Sequence, residues 1–471
     1  MAALAVTAAL LHFAFGVDLR LDGSGVPRIV REPEAAQVAE ALETHRAAQK
    51  TPDPPATIAP VPVPAPAPDT PLAASPETRA VPARAPYWTG FRGPLRNGIY
   101  TEQPIRTSWP AAGLTPIWKQ PVGGGYASFS VARGRAFTIE QRRGQEVVTA
   151  YDVATGREMW AHGWDSEFTE WMGGDGPRAT PTWSDGRVYA LGALGELRCL
   201  DERTGEMLWR VNILDDNAAS NLPWGMAASP LLIDDLVVVL PGGPAGRSIA
   251  AYDRATGKRR WSALNDKQAY SAPMLVTIAG VRQILVLAAT RLVSVTPENG
   301  ELLWEYPWPT SNDINCSQPV ILPPGNRVLL SSGYGHGAAL LEVTANDGRF
   351  GTRLLWENTR LKNRFSSSVE HEGFIYGLDE NILTCLDAAT GDVKWKAGRY
   401  GHGQFVLASG HLVLLTEEGE LVLVRATPER HEEVARFAVL DGKTWNHPAI
   451  DDGRLLVRNL AEMAAFDLRT R

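Results

Sequence analysis

From Tyr87 onward the chain repeats a pattern of short hydrophobic runs separated by Gly, Asp and Asn turns, with a period of roughly 40–50 residues. Three such runs are RVYALGAL (187–194), QILVLAAT (283–290) and HLVLLTEE (411–418). They are short and rich in β-formers, and they lack helical periodicity. The repeat length suits both propeller blades and helical solenoids, and the strand pattern favours blades.

Each repeat begins with a small-residue segment and ends in a turn followed by Trp, as in DERTGEMLW (201–209). Small residues suit an innermost strand where blades converge on an axis. We expect Asp201 to accept hydrogen bonds from the amides of its own turn, and Gly205 to supply a positive φ. Trp209 would then offer a flat surface to the neighbouring blade. The motif is therefore interpreted as the end of a blade, with no need for a ligand.

Eight such strand ends occur along the chain. They are Trp118, Trp160, Trp209, Trp261, Trp304, Trp356, Trp395 and Phe437, which replaces Trp in the seventh unit. The first lacks inner strands of its own, whereas the last segment, 446–471, has three strands and stops at the turn. Joining the two predicts an all-β, eight-bladed propeller of four-stranded blades, its last blade closed by an N-terminal strand. Closure removes the exposed edges of an open array.

Three regions are predicted along the chain. Residues 1–31 form a signal peptide or signal-anchor, because residues 1–17 are apolar yet short for a full membrane span. Residues 32–86 form an Ala/Pro-rich disordered linker whose first part is compatible with a short helix. Residues 87–471 form the propeller. This order predicts a periplasmic protein anchored to a bacterial membrane by its N-terminus; whether that segment is cleaved stays open.

The amino-acid composition argues against several classes of function. The net charge of −7, with acidic and basic residues interleaved, offers no footprint for nucleic acid. The three cysteines, Cys199, Cys316 and Cys385, are far apart in sequence, so a zinc site or a c-type haem site is not expected. Inert core thiols are the simpler interpretation.

Superposing the inner strands predicts one residue per blade at the axial entrance. These residues are Tyr126, Arg178, Ala227, Tyr270, Cys316, Phe365, His402 and Trp445. The loops that precede them add Trp171, Asp175, Asn221 and Trp224. Such an aromatic funnel suits a small planar ligand or a protein partner, and it equally suits a plug that stabilises the channel. A buried Arg needs a partner, and Asp175 is near enough in sequence to pair with Arg178.

Several motifs resemble a known family. WTGFRGPLRNGIY (88–100), SSGYGHGAALL (331–341) and DGKTWNHPAI (441–450) are similar to those of membrane-anchored bacterial PQQ-binding-like β-propeller repeat proteins. The wider superfamily includes quinoprotein alcohol dehydrogenases and the BamB-like propellers. The resemblance covers residues 87–471, and it implies a fold without implying a chemistry.

The resemblance raises the question of whether the residues that bind the quinone and calcium in the related enzymes are present in this chain. In the quinoprotein enzymes, Ca²⁺ and PQQ are held by carboxylate and amide oxygens, with an Asp base and a disulfide ring between adjacent cysteines. This chain has no adjacent cysteines, and no ligand set aligns with those positions. A protein-binding scaffold for envelope proteins, built as a monomeric propeller, is the favoured hypothesis. A PQQ- and calcium-dependent dehydrogenase of a small alcohol or sugar is the alternative, and a module for an envelope polymer is a third. No catalytic residue is assigned, and no metal site is predicted.

Overall fold

The computed structural model describes residues 17–21, 27–31, 35–50, 85–170 and 172–470. The apolar residues 1–16, the Pro-rich residues 51–84 and Trp171 lie outside this described part, so what was predicted for them stays a prediction. No helix among the described residues combines the length and the apolar character that crossing a membrane requires.

The N-terminal elements precede the ring. Strands β1 (Val17–Leu21) and β2 (Pro27–Arg31) form a hairpin, and helix α1 covers Ala35–Lys50, within the segment compatible with a short helix. Strands β3 (Ile99–Tyr100) and β4 (Pro116–Pro121) follow.

Eight sheets then form the blades, and in blades 1 to 7 four antiparallel strands follow one another across the sheet in chain order. Blade 1 contains β5 (Ser130–Ala132), β6 (Arg135–Arg142), β7 (Gln145–Asp152) and β8 (Glu158–Asp165). Blade 2 contains β9 (Thr182–Ser184), β10 (Arg187–Leu191), β11 (Glu196–Asp201) and β12 (Met207–Asn212), followed by the short helix α2 (Ile213–Asp216). Blade 3 contains β13 (Leu231–Ile233), β14 (Leu236–Val239), β15 (Ile249–Asp253) and β16 (Arg259–Ala263). Blade 4 contains β17 (Met274–Ile278), β18 (Val281–Leu287), β19 (Arg291–Val295) and β20 (Leu302–Pro307).

The second half of the ring continues the pattern. Blade 5 contains β21 (Val320–Leu322), β22 (Arg327–Ser332), β23 (Gly337–Asn346) and β24 (Arg349–Asn358). Blade 6 contains β25 (Val369–His371), β26 (Phe374–Asp379), β27 (Ile382–Asp387) and β28 (Val393–Arg399). Blade 7 contains β29 (Gln404–Ala408), β30 (His411–Leu415), β31 (Glu420–Arg425) and β32 (Glu433–Ala438). Blade 8 contains β33 (Ala449–Asp451), β34 (Arg454–Arg458) and β35 (Glu462–Asp467), with β4 as its outer strand.

The predicted closure of the ring is confirmed. Strand β4, near the N-terminal end of the propeller, pairs antiparallel with β35 near its C-terminal end, with Trp118 opposite Ala465. A second joint was not predicted: β3 adds to the inner edge of blade 7, parallel to β29, with Ile99 opposite Leu407. Two segments from the start of the chain are therefore built into the last two blades.

The turn at the end of each blade works as the sequence predicts, with one addition. Asp201 Oδ1 accepts hydrogen bonds from the amides of Arg203 and Thr204, both at 2.9 Å. Trp209 reaches across to the next blade, where its Nε1 donates to the carbonyl of Arg254 at 3.0 Å. The addition concerns Gly205, which has a φ of 72° and lies against the ring of Trp160 in the preceding blade. The glycine thus permits both the turn and the close approach of the two blades.

Replacing Gly205 by Ala is expected to lower the free energy of unfolding by about 1–2 kcal/mol, because Ala is strained at positive φ and its Cβ needs room beside Trp160. That Cβ would lie 2.5 Å from Cε3 of the Trp160 ring. Denaturant unfolding measures the change. Gly186→Ala is the matched control, since Gly186 has a φ of 81° and no atom within 4 Å of the added Cβ. Equal losses for the two variants would contradict a role for the ring contact.

The segment 88–98 contacts the inner segments of several blades through two buried arginines, and we call it the basal plug. Arg96 is 5% exposed and donates hydrogen bonds to the carbonyls of Ser229 at 2.9 Å and Pro273 at 3.1 Å, and to that of Pro230. These residues belong to the inner segments of blades 3 and 4, and lie two or three positions beyond the predicted entrance. One side chain therefore ties together neighbouring blades from inside the ring.

A second arginine of the basal plug, Arg92, does the same on the opposite side. It is 1% exposed, and its guanidinium donates to the carbonyl of Ser368 in blade 6 at 3.1 Å. It also lies 3.2 Å from Nε2 of His447, which leads into blade 8.

Candidate functional site

The open end of the channel, which we call the mouth, carries the eight residues predicted by superposing the inner strands. All eight are partly exposed. The residues that follow them are buried, as Ala127, Ala179 and Ala228 illustrate with exposures of 0%, 0% and 2%. Superposition thus locates the point at which the channel opens. Among the loop residues predicted with them, Asp175 and Trp224 are also partly exposed, whereas Trp171 lies outside the described residues.

Four of these residues, from blades 6, 7, 8 and 1, form one aromatic cluster. The rings of Tyr126 and Trp445 are stacked, with centroids 5.3 Å apart and an interplanar angle of 27°. Phe365 lies 4.8 Å from Trp445 and 5.0 Å from His402. We call this set the aromatic wall. Its rings contact one another and still leave part of their surface open, which is the arrangement of an interface anchor.

A smaller pair lies on the other side of the axis. Trp224 and Tyr270 meet edge to face, with centroids 6.0 Å apart. Two small residues of the superposed set, Ala227 and Cys316, occupy blades 3 and 5, on either side of Tyr270 in blade 4. Burial raises the pKa of the Cys316 thiol to about 12, so this thiol stays protonated and unreactive.

Cations cover the aromatic rings of the mouth. The guanidinium of Arg178 lies 5.6 Å from the Tyr126 centroid, and Nζ of Lys443 lies 4.6 Å from that of Trp445. On blade 6, Arg364 sits 4.4 Å above Tyr334. Contacts at these distances are attractive because a cation interacts with the negative face of the ring.

Lys443, Arg364 and Tyr334 were missed by superposition, which takes one residue per blade. Lys443 immediately precedes the buried Thr444 and lies two residues before Trp445, and Arg364 directly precedes Phe365. A long cationic side chain one or two residues before a predicted aromatic position would have identified Lys443 and Arg364 from the sequence.

The expected ion pair between Arg178 and Asp175 is wrong. The Arg178 guanidinium donates instead to the carbonyls of Gly176 and Gly174, the latter at 2.7 Å. Asp175 Oδ1 accepts from the amide of Glu170 at 3.3 Å. Burial lowers the pKa of Arg178, and nearby acidic and phenolic groups offset part of that effect. The brace is therefore made with main-chain oxygens.

The loop that supplies these carbonyls reaches over the mouth. Gly173 accepts a hydrogen bond from Lys443 Nζ at 2.6 Å and another from the Tyr126 hydroxyl. Met172, next to it, is 54% exposed. The loop between blades 1 and 2 is thus held on blade 8 and presents a large apolar side chain beside the aromatic wall.

Glu417 supports the aromatic wall through two hydrogen bonds. Glu417 Oε1 accepts from Trp445 Nε1 at 2.8 Å, and its Oε2 accepts from the backbone amide of His402 at 3.0 Å. Burial lowers the pKa of the His402 imidazole, which is therefore neutral near pH 7. The carboxylate fixes the orientation of the Trp445 ring.

The donor set of the mouth does not fit calcium and a quinone. Calcium needs several oxygen ligands converging on one point. Among the described residues, no group of three or more His, Cys, Asp or Glu side chains is arranged to hold a metal ion. Glu417 already accepts two protein hydrogen bonds, and Cys316 lies far from Cys199 and Cys385 in sequence. We therefore derive no catalytic step at this site.

Comparison with known proteins identifies the family to which this propeller belongs. Residues 143–397, more than half of the chain, match the sequence family described as outer membrane protein assembly factor BamB. The chain belongs to this family. Over 307 residues it is 24% identical to the outer membrane protein assembly factor BamB of Burkholderia pseudomallei, covering 62% of this chain and 71% of that protein.

Quinoproteins share part of the repeat. The quinoprotein alcohol dehydrogenase PedH of Pseudomonas putida is 29% identical over 174 residues, which is 34% of this chain and only 27% of PedH. The crystal structure of BamB from Moraxella catarrhalis superposes with a TM-score of 0.55 at 15% identity, covering 76% of this chain and 99% of that one. That likeness concerns the fold, which this BamB-family chain shares.

Proposed function

We propose that this BamB-family chain is a periplasmic protein-binding scaffold, tethered to a bacterial membrane by its N-terminal segment, and that the mouth is its contact surface for other envelope proteins. The observation that carries the proposal is the aromatic wall, where Tyr126 and Trp445 stack while part of each ring stays open to solvent. Aromatic residues and Arg dominate the binding energy of protein interfaces.

The surroundings of the wall support a protein partner over a substrate. The carboxylate of Glu417 is engaged by Trp445 and by the amide of His402, so it is not a free base. The name of the relatives, outer membrane protein assembly factor, supports an envelope partner.

A photo-crosslinking amino acid at Met172 in living cells tests the proposal, because Met172 is exposed beside the aromatic wall. We expect crosslinks to envelope proteins, identified by mass spectrometry. Trp445→Ala is expected to reduce their yield by at least about tenfold, as loss of an interface anchor does.

The control for this experiment is the same crosslinker at Met207, which is 40% exposed on the outer strand of blade 2. Thermal unfolding of Trp445→Ala shows whether the propeller stays folded. No protein crosslink from Met172, or the same products in equal yield from Met207, would contradict the proposal. A folded Trp445→Ala protein with undiminished crosslinks would do so as well.

A further inference from the structure

Helix α1 lies across the seam where the ring is closed. On one side of that seam is β4, the N-terminal strand that completes blade 8, and on the other is blade 1. Three α1 side chains, those of His45, Arg46 and Gln49, make polar contacts with both sides. The closing strand is held in the sheet on one edge only, by β35.

On the blade 8 side, α1 binds the end of β4. Gln120 Oε1 lies 2.9 Å from His45 Nε2 and accepts from Gln49 Nε2 at 3.1 Å. The carbonyl of Pro121 accepts from the Arg46 guanidinium at 3.2 Å. Gln120 itself donates to the carbonyl of Gly156 in blade 1, so α1 adds to a contact that already bridges the seam.

On the blade 1 side, Arg46 enters a polar pocket. Its Nε lies 3.2 Å from Glu158 Oε2, and a terminal nitrogen donates to the Tyr151 hydroxyl at 3.0 Å. The guanidinium carbon lies 4.8 Å from the centroid of the Tyr151 ring. Arg46 is only 6% exposed, and an Arg so placed is costly unless it is paired. Here the terminal nitrogens donate hydrogen bonds, whereas Nε pairs with Glu158 through charge alone and makes no hydrogen bond.

Among the blades that share the Gly turn, the acid of this pocket occurs only in blade 1. Glu158 lies two residues after the turn glycine of blade 1, and no carboxylate occupies the matching position of the other blades with this turn. The residues there are Met207, Arg259, Leu302 and Val393 in blades 2, 3, 4 and 6. Blade 7, which lacks this turn, has Glu433 at the corresponding register position opposite Val424, but there Arg436 of the same strand pairs with it.

Apolar packing accompanies the polar contacts of α1, since Leu42 of the helix is 2% exposed. A cavity of about 380 Å³ remains between the helix and blade 1, and Ala39, Leu42, Ala47 and Ala161 contribute to its lining. Glu43 adds an ion pair with Arg143 at 2.6 Å on the exposed side.

We infer that the groove between β4 and blade 1 is a binding site for an arginine-bearing helix, and that α1 is its resident ligand and clamps the closing strand into the ring. The C-terminal half of α1 therefore lies on the outer wall of blades 8 and 1. The inference does not depend on what binds at the mouth.

Hydrogen exchange of the full-length chain, read by mass spectrometry, tests the clamp. Arg46→Gln removes the charge and the fork but keeps a helix-forming residue. We expect exchange to accelerate by about tenfold in α1 and also in β4, the scale of losing a charge-assisted hydrogen bond. The outer strand of blade 4, β20, serves as the internal reference and should not change.

Gln37→Ala is the matched control, because Gln37 is exposed on the same helix. It should leave exchange in both elements unchanged. Glu158→Gln tests the pocket from the other side and should reproduce the effect of Arg46→Gln, with little further change in the double variant. Acceleration in α1 without β4 would mean that the helix merely rests on the wall, and it would overturn the inference. Unchanged exchange in α1 would overturn it too.

Discussion

Replacing Arg96 by Met is expected to lower the free energy of unfolding by at least about 3 kcal/mol, because several buried acceptors lose their donor together. Arg96 donates to the carbonyls of Ser229, Pro230 and Pro273 from a position that is 5% exposed. Its second nitrogen also lies 3.5 Å from Thr182 Oγ1. Met fills much of the volume and supplies no donor, so the carbonyls of blades 3 and 4 face an apolar chain.

Denaturant unfolding measures this loss, and Arg157→Met is the matched control because Arg157 is exposed on a turn of blade 1. The control should change stability by less than about 0.5 kcal/mol. Arg96→Lys should recover only part of the stability, since an ammonium cannot reproduce the planar fork. An Arg96→Met protein as stable as the control would show that the basal plug does not tie the blades together.

The blades could be predicted from the sequence because their signals are local. Gly205 and Trp209 recur at fixed spacing in most repeats, and their spacing follows from a turn and a packing position. The closure of blade 8 by β4 followed from counting, since one Trp end lacked inner strands and one set of inner strands lacked an end. Counting works because a propeller that closes has no spare edge.

The contacts of the basal plug could not be predicted, because most of its partners are main-chain carbonyls and no residue type marks them in the sequence. Arg92 and Arg96 bind main-chain carbonyls and an imidazole of distant blades, and any residue supplies a carbonyl. Both arginines also have positive φ, at 61° and 54°, a conformation that nothing in their residue type announces. The binding site of α1 was missed for a related reason. Glu158 and Tyr151 form no recognisable sequence motif, and only the structure shows that the helix lies beside them.

The mouth could be predicted from the sequence only in part. Its eight positions follow from superposing the inner strands, because seven of them lie four residues before the first residue of the inner strand and His402 lies two before it. The partner of Arg178 does not follow. Gly174 and Gly176 have φ of 105° and 88°, conformations that residues other than glycine rarely adopt, and their carbonyls receive the guanidinium in place of Asp175. Proximity in sequence suggested Asp175 as the partner of Arg178, whereas the backbone conformation of the two glycines turns their carbonyls toward the guanidinium.

The two ends of the channel are linked through one short segment. Trp445 forms part of the mouth, Asn446 donates to the carbonyls of Gly125 and Ala127, and His447 contacts the basal plug. Its neighbour Thr444 is buried as well. A disturbance of the plug at His447 is therefore two residues from the aromatic wall, which gives the protonation state of this histidine its importance.

Lowering the pH from 7.5 to 5.0 is expected to remove about 2 kcal/mol of stability through His447 alone, provided that the folded protein keeps this imidazole neutral over that range. His447 is 4% exposed, and burial, together with the charge of Arg92, lowers its pKa well below 6.5. Nδ1 lies 2.7 Å from the Pro448 carbonyl and so carries the hydrogen, which leaves Nε2 to accept from Arg92. The unfolded chain takes up a proton as the pH falls through about 6.5 and the folded chain does not, so stability is full above that pH and falls below it.

The variant His447→Gln isolates this contribution, because its amide oxygen can accept from Arg92 but does not titrate. Denaturant unfolding at pH 7.5 and 5.0 should show a drop in stability that is smaller than the wild-type drop by about 2 kcal/mol. His371→Gln, at a partly exposed position on blade 6, should keep the wild-type drop. Glu140 does not interfere in this window: burial alone would raise the pKa of its carboxyl, but Arg142 and Arg458 lower it to about 2, so its contribution is lost only below about pH 4.5. Equal drops for wild type and His447→Gln would mean that the folded protein accepts the proton, and that the contact with Arg92 rearranges to allow it.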